Sequence, residues 1–131
     1  MKLFVVLCSV IFVQSQKLSH EVIVNWEDLH FPHFDRCVNE SQVDPIIPRT
    51  MHRQSPMSDD PKFQCYLKCI LESLDARTSD KSELDVAKVS KLLNLSWEVA
   101  ERCVAKGKLE KNLCAKGYIV AKCVIEESGG K

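Results

Sequence analysis

The chain has 131 residues, with 18 basic and 18 acidic side chains and a formal net charge of zero. Charges of both signs are interspersed, so there is no basic footprint for nucleic acid or for an anionic membrane surface. A chain of this length makes one domain, large enough for a core yet small enough to benefit from covalent staples.

The N-terminus reads as an export signal. Lys2 supplies a small positive start, Leu3 to Val13 is an apolar run, and Val13-Gln14-Ser15 puts small residues at positions −3 and −1 for cleavage. The run is shorter than the ~20 apolar residues that cross a bilayer, and no later segment is apolar enough, so no membrane insertion is expected. The expected organisation is a signal peptide over 1–15 and one secreted domain over 16–131.

From Leu18 to His30, apolar Leu18, Val22, Trp26 and Leu29 recur at helical steps, and Pro32 should end or kink that helix. Prolines 45, 48, 56 and 61 then punctuate the chain. Asp44 before Pro45 looks like a cap with proline at the first helical position, opening a short helix through about Gln54. The same device at Asp60 and Pro61 opens a stronger helix, in which Phe63, Leu67, Ile70, Leu71 and Leu74 form an apolar stripe. Asp75 to Ser82 is polar apart from Ala76 and reads as an exposed loop.

Ser82 with Asp85 resembles a capping box for a helix carrying Leu84, Val89, Leu92 and Leu93. Ser96 is a reasonable cap for the next helix, with Trp97, Ala100, Cys103 and Val104 on one side and Gly107 as its stop. A last helix should run from about Lys111 to Glu127. None of these segments shows a convincing alternating strand pattern.

Cys8 lies inside the export signal, which leaves six cysteines. Between successive members lie 27, 3, 33, 10 and 8 residues: Cys37, Cys65, Cys69, Cys103, Cys114 and Cys123. An even set in an exported chain of this size implies three disulfides, although six cysteines allow 15 pairings. Cys65 and Cys69 are about 400° apart on a helix and share a face. Cys114 and Cys123 are about 900° apart and face opposite ways, so the last helix must be tied to different elements on its two sides.

With three residues between the second and third cysteines and eight between the fifth and sixth, the chain resembles an insect odorant-binding protein of the six-cysteine type. The likeness covers the whole secreted chain, and Cys65-Tyr66-Leu67-Lys68-Cys69 with Cys114 to Cys123 supplies its specific part. It implies an all-α, compact bundle of about six helices stapled around an apolar cavity. It also implies the pairs Cys37 with Cys69, Cys65 with Cys114, and Cys103 with Cys123.

The function it implies is a carrier that binds odorants or pheromones noncovalently and delivers them through sensillar lymph to olfactory receptors. Two alternatives use the same scaffold: a lipid or pheromone carrier in gland, venom or seminal fluid, and a secreted protein-binding inhibitor or toxin. Residues expected to line the cavity are Trp26, Leu67, Ile70, Leu74, Val89, Leu93, Trp97, Val104, Tyr118 and Val124. Most of these would be apolar core in any helical fold; Tyr118 and Trp97 add a polar tip able to orient an alcohol, aldehyde or ester.

No Gly-rich phosphate loop, His-Glu-x-x-His or Gly-x-Ser-x-Gly is present, so neither an enzyme nor a cofactor is expected. His20, His30, His33 and His52 read as exposed or turn residues rather than metal ligands. A pH-driven insertion of the C-terminal tail, known in some relatives of this kind, is not expected: only eight residues follow Cys123, and Glu126 to Lys131 is polar or glycine. Any pH response would fall to the N-terminal histidines. Asn39-Glu40-Ser41 and Asn94-Leu95-Ser96 fit glycosylation acceptors at Asn39 and Asn94. A monomer and a homodimer fit the sequence equally.

Overall fold

The computed structural model describes residues 20–53 and 57–129. The expected signal peptide, the start of the first helix at Leu18, and Gln54 lie outside the described residues. Among the described residues, six helices longer than one turn follow one another: α1 (His20–His30), α2 (Phe34–Ser41), α3 (Pro61–Ser73), α4 (Val86–Leu92), α5 (Trp97–Gly107) and α6 (Leu113–Gly129). Among the described residues there is no β-strand, only an isolated bridge between Arg77 and Leu84. The all-helical reading is thus correct.

Proline chemistry sets the first boundaries. Pro32 sits in a 3-10 turn, Phe31–His33, which ends α1 and leads directly into α2. Helix α2, which carries Cys37, is absent from the sequence reading, because its eight residues hold only Phe34 and Cys37 as buried apolar positions. Gln42 then closes α2 in the left-handed conformation (φ 60°). The helix expected through Gln54 is shorter and broken: a single turn over Ile46–Arg49, then a 3-10 turn over Met51–Arg53. Pro48, buried within that first turn, limits its continuation.

Helix α3 is the spine. Asp60 accepts the backbone N–H of Lys62 at 2.8 Å with Pro61 at the first position, and Phe63, Tyr66, Leu67 and Ile70 form its buried face. The polar loop that follows is more ordered than its composition suggests. The N–H of Thr78 bonds to the carbonyl of Glu83 and that of Asp85 to Ala76, both at 2.8 Å, making a small hairpin around fully buried Ala76.

That hairpin corrects the expected capping box. The Ser82 hydroxyl donates to Asp80 at 2.7 Å, and helix α4 begins four residues later at Val86, with Asp85 as its cap accepting the N–H of Lys88 at 3.0 Å. Replacing Asp85 with alanine should lower stability by about 1 kcal/mol, read as a lower urea midpoint at unchanged slope. Ser96 caps α5 as expected, accepting from Val99 at 3.2 Å.

Gly107 ends α5, but for a packing reason rather than a conformational one. A Cβ there would meet Val120 Cγ2 at 3.1 Å and the Lys116 carbonyl at 3.2 Å, so glycine lets α5 approach α6 closely. Lys116 is itself buried, and its ammonium donates to both carboxylate oxygens of Glu83, at 2.9 and 3.1 Å. This pair fastens the hairpin to the last helix.

Three disulfides complete the frame. Cys37–Cys69 ties α2 to α3, Cys65–Cys114 ties α3 to α6, and Cys103–Cys123 ties α5 to α6. Their Cα separations of 5.6, 4.5 and 5.4 Å are ordinary for such bridges. Helix α6 is therefore held on two sides by two different helices, and α3 is anchored twice.

Candidate ligand-binding cavity

Helices α1, α3, α4 and α6 do not close on one another completely. Between them lies a narrow cleft of about 60 Å³. Each wall follows from helical spacing. Helix α3 and its C-cap contribute Tyr66, Leu67, Ile70, Leu71 and Leu74, α6 contributes Val120, Ala121 and Val124, and Val89 with Leu93 comes from α4 and its end. Trp26, Leu29 and His30 of α1 and Met51 complete the lining.

Seven of the ten residues named from sequence line this cleft: Trp26, Leu67, Ile70, Leu74, Val89, Leu93 and Val124. Three lie elsewhere. Trp97, at the first position of α5, is 54% exposed, because the buried face of that helix runs through Ala100, Cys103 and Gly107. Val104 is half-buried against the core. Tyr118 is buried, but its hydroxyl donates to the Met57 carbonyl at 3.2 Å, which pins residue 57 to α6 and occupies the polar tip. Asn39 and Asn94 are both exposed.

The polar group in the lining is one that the sequence reading placed outside it. His30 is buried, not a surface or turn histidine, and its Nδ1 lies 2.9 Å from the hydroxyl of Tyr66. Tyr66 is fully buried, stacked on Phe63 and met edge-on by Phe34 and by His30 itself. Burial holds the imidazole at about 4, with the nearby His52 lowering it further, and raises the Tyr66 phenol well above its ordinary value. Both groups are therefore neutral near pH 7. The spacing of Phe63, Tyr66 and Ile70, three and four residues apart, was the signal that could have found Tyr66.

A family model for the PBP/GOBP family matches residues 27–127. The chain belongs to the PBP/GOBP family. The match and the three disulfides identify it as an insect odorant- or pheromone-binding protein of the six-cysteine type. PBP/GOBP proteins are small ligand-binding carriers rather than enzymes, which accords with a cleft walled by apolar side chains. A search of curated proteins finds no match to this PBP/GOBP chain. Among its described residues, no helix is long and apolar enough to cross a membrane.

Proposed function

We propose that the protein is a secreted carrier that takes up small hydrophobic molecules, odorants or pheromones, in the cleft between α1, α3, α4 and α6. It releases them unchanged to olfactory receptors across an aqueous lymph. The observation that carries this reading is the cleft itself: fourteen side chains line it, and only His30, Tyr66 and Trp26 among them carry a nitrogen or oxygen. Selection follows from cleft shape and a polar contact, without covalent chemistry. Export by a signal peptide over residues 1–15 is part of the same proposal, and the disulfide frame suits an oxidising compartment.

Burying ten methylenes at ~0.8 kcal/mol each gives ~8 kcal/mol, a dissociation constant near 1 μM before ordering costs. That magnitude suits uptake and release better than permanent storage. The test is titration of the oxidised protein with a fluorescent apolar probe, then competition by volatile alcohols, esters and acids. One-to-one saturable binding with selective displacement is expected.

Leu93 lies in the cleft wall and is only partly buried, so it tolerates a larger side chain. Leu93→Trp should weaken probe binding by at least about tenfold by filling the cleft, while helical content is kept. A folded sample that binds none of these probes would redirect attention to a role in binding another protein.

A further inference from the structure

The hydrogen-bonding state of His30 can be assigned from its surroundings. Tyr66 is fully enclosed, and its hydroxyl has His30 Nδ1 as its hydrogen-bond partner. If Nδ1 carried the proton, the phenolic O–H would be buried without an acceptor, which is strongly unfavourable. The phenol therefore donates to Nδ1, and the ring proton sits on Nε2.

Among the described residues no fully enclosed side-chain nitrogen or oxygen lacks a partner. Nε2 has none among the described residues, so it lies on accessible surface, and His30 is part of the cleft wall. From this placement, and resting on the carrier reading above, we propose that the Nε2–H of His30 is the specificity-determining donor of the cleft. Tyr66 acts as the positioning residue that fixes its tautomer, and the pair selects a neutral ligand bearing a carbonyl or hydroxyl oxygen.

The lining argues for neutrality as well. No lysine, arginine, aspartate or glutamate is among the fourteen residues of the wall. A carboxylate entering there would lose its water and find no fixed cation, a heavy penalty in an apolar site. A carbonyl oxygen needs one donor, which His30 supplies, and the rest of the molecule meets leucine, isoleucine, valine and the Trp26 ring.

Octanal, octane and octanoate are to be competed against N-phenyl-1-naphthylamine at pH 7.5, with wild type, His30→Leu, His30→Gln and Tyr66→Phe. In wild type, octanoate should bind at least about tenfold more weakly than octanal. His30→Leu should weaken octanal by about three- to tenfold and leave octane unchanged or tighter. His30→Gln, which keeps an N–H donor, should recover part of the octanal affinity. Tyr66→Phe frees Nδ1 to take the proton and should reduce octanal affinity while sparing octane, so the proposal is still tested if His30→Leu does not fold.

Equal weakening of octanal and octane would show a merely structural role and overturn the proposal, as would octanoate binding as tightly as octanal. If the folded wild-type protein binds the probe but shows no such discrimination, this inference alone fails. If it binds no probe, the carrier reading fails with it.

Discussion

Replacing both Cys65 and Cys114 with serine should lower the unfolding free energy by about 4 kcal/mol, the largest effect expected of any one bridge here. The bond closes 49 residues of chain, against 32 for Cys37–Cys69 and 20 for Cys103–Cys123, and the loop entropy removed from the unfolded chain grows with that length. The Cys103–Cys123 pair should accordingly be worth about 3 kcal/mol. Both Cys65 and Cys114 are half-buried, so the serine hydroxyls can reach water and add little penalty of their own. Urea unfolding of the two double variants measures the difference. A smaller loss for Cys65/Cys114 than for Cys103/Cys123 would mean that native packing, rather than chain entropy, governs the ranking. Against a total stability of roughly 5 to 15 kcal/mol for a domain, either loss is large.

Stability should also fall by about 2 to 3 kcal/mol as the pH drops from 6.5 to 4, through His30. Above 6.5 the imidazole is neutral in both folded and unfolded chains and contributes no pH dependence. Between 6.5 and about 4 the unfolded chain binds a proton that the buried ring refuses, so unfolding gains progressively. Below about 4 both states are protonated and the penalty is complete. Helical content followed in urea at several pH values, for wild type and His30→Gln, isolates the effect: the variant should lose most of the slope in this window. An unchanged slope would assign the pH response to other groups.

Asp80 titrates with the opposite sign and lower down. Its carboxylate is held at about 2 by hydrogen bonds from Thr78 and Ser82, so its contribution is present above its ordinary value and is lost as the pH falls toward 2. The windows barely overlap, which lets a pH series distinguish the two. Ligand bound in the cleft would oppose the His30 effect by mass action, so the series is best run on the unliganded protein.

Local chemistry was legible wherever a residue acts on its immediate neighbours. Asp60 with Pro61, Ser96 and Pro32 set helix ends by capping bonds and by a missing N–H, within a few residues of themselves. The stripe Phe63, Leu67, Ile70 recurs at helical period, and that period fixed which side of α3 meets the rest of the molecule. Opposite faces for Cys114 and Cys123 likewise followed from rotation per residue, and α6 is indeed tied to α3 on one side and to α5 on the other.

Which buried residues face open space, and which face each other, was decided only by how the helices cross. Tyr118 and Tyr66 are both tyrosines on apolar helical faces, but one hydroxyl is taken by the Met57 carbonyl and the other meets His30, 36 residues away in sequence. Trp97 looked like a wall residue because its helix is amphipathic, and it is exposed because that helix turns its other edge inward. The sequence by itself determined most of the helices and their apolar faces, consequences of interactions within a turn or two of the chain, and the spacing of the six bridged cysteines. The tertiary structure decided that His30 is buried, that Tyr66 holds its tautomer and that a cleft remains beside them, because a pKa shift and a cavity both arise from groups brought together across the fold.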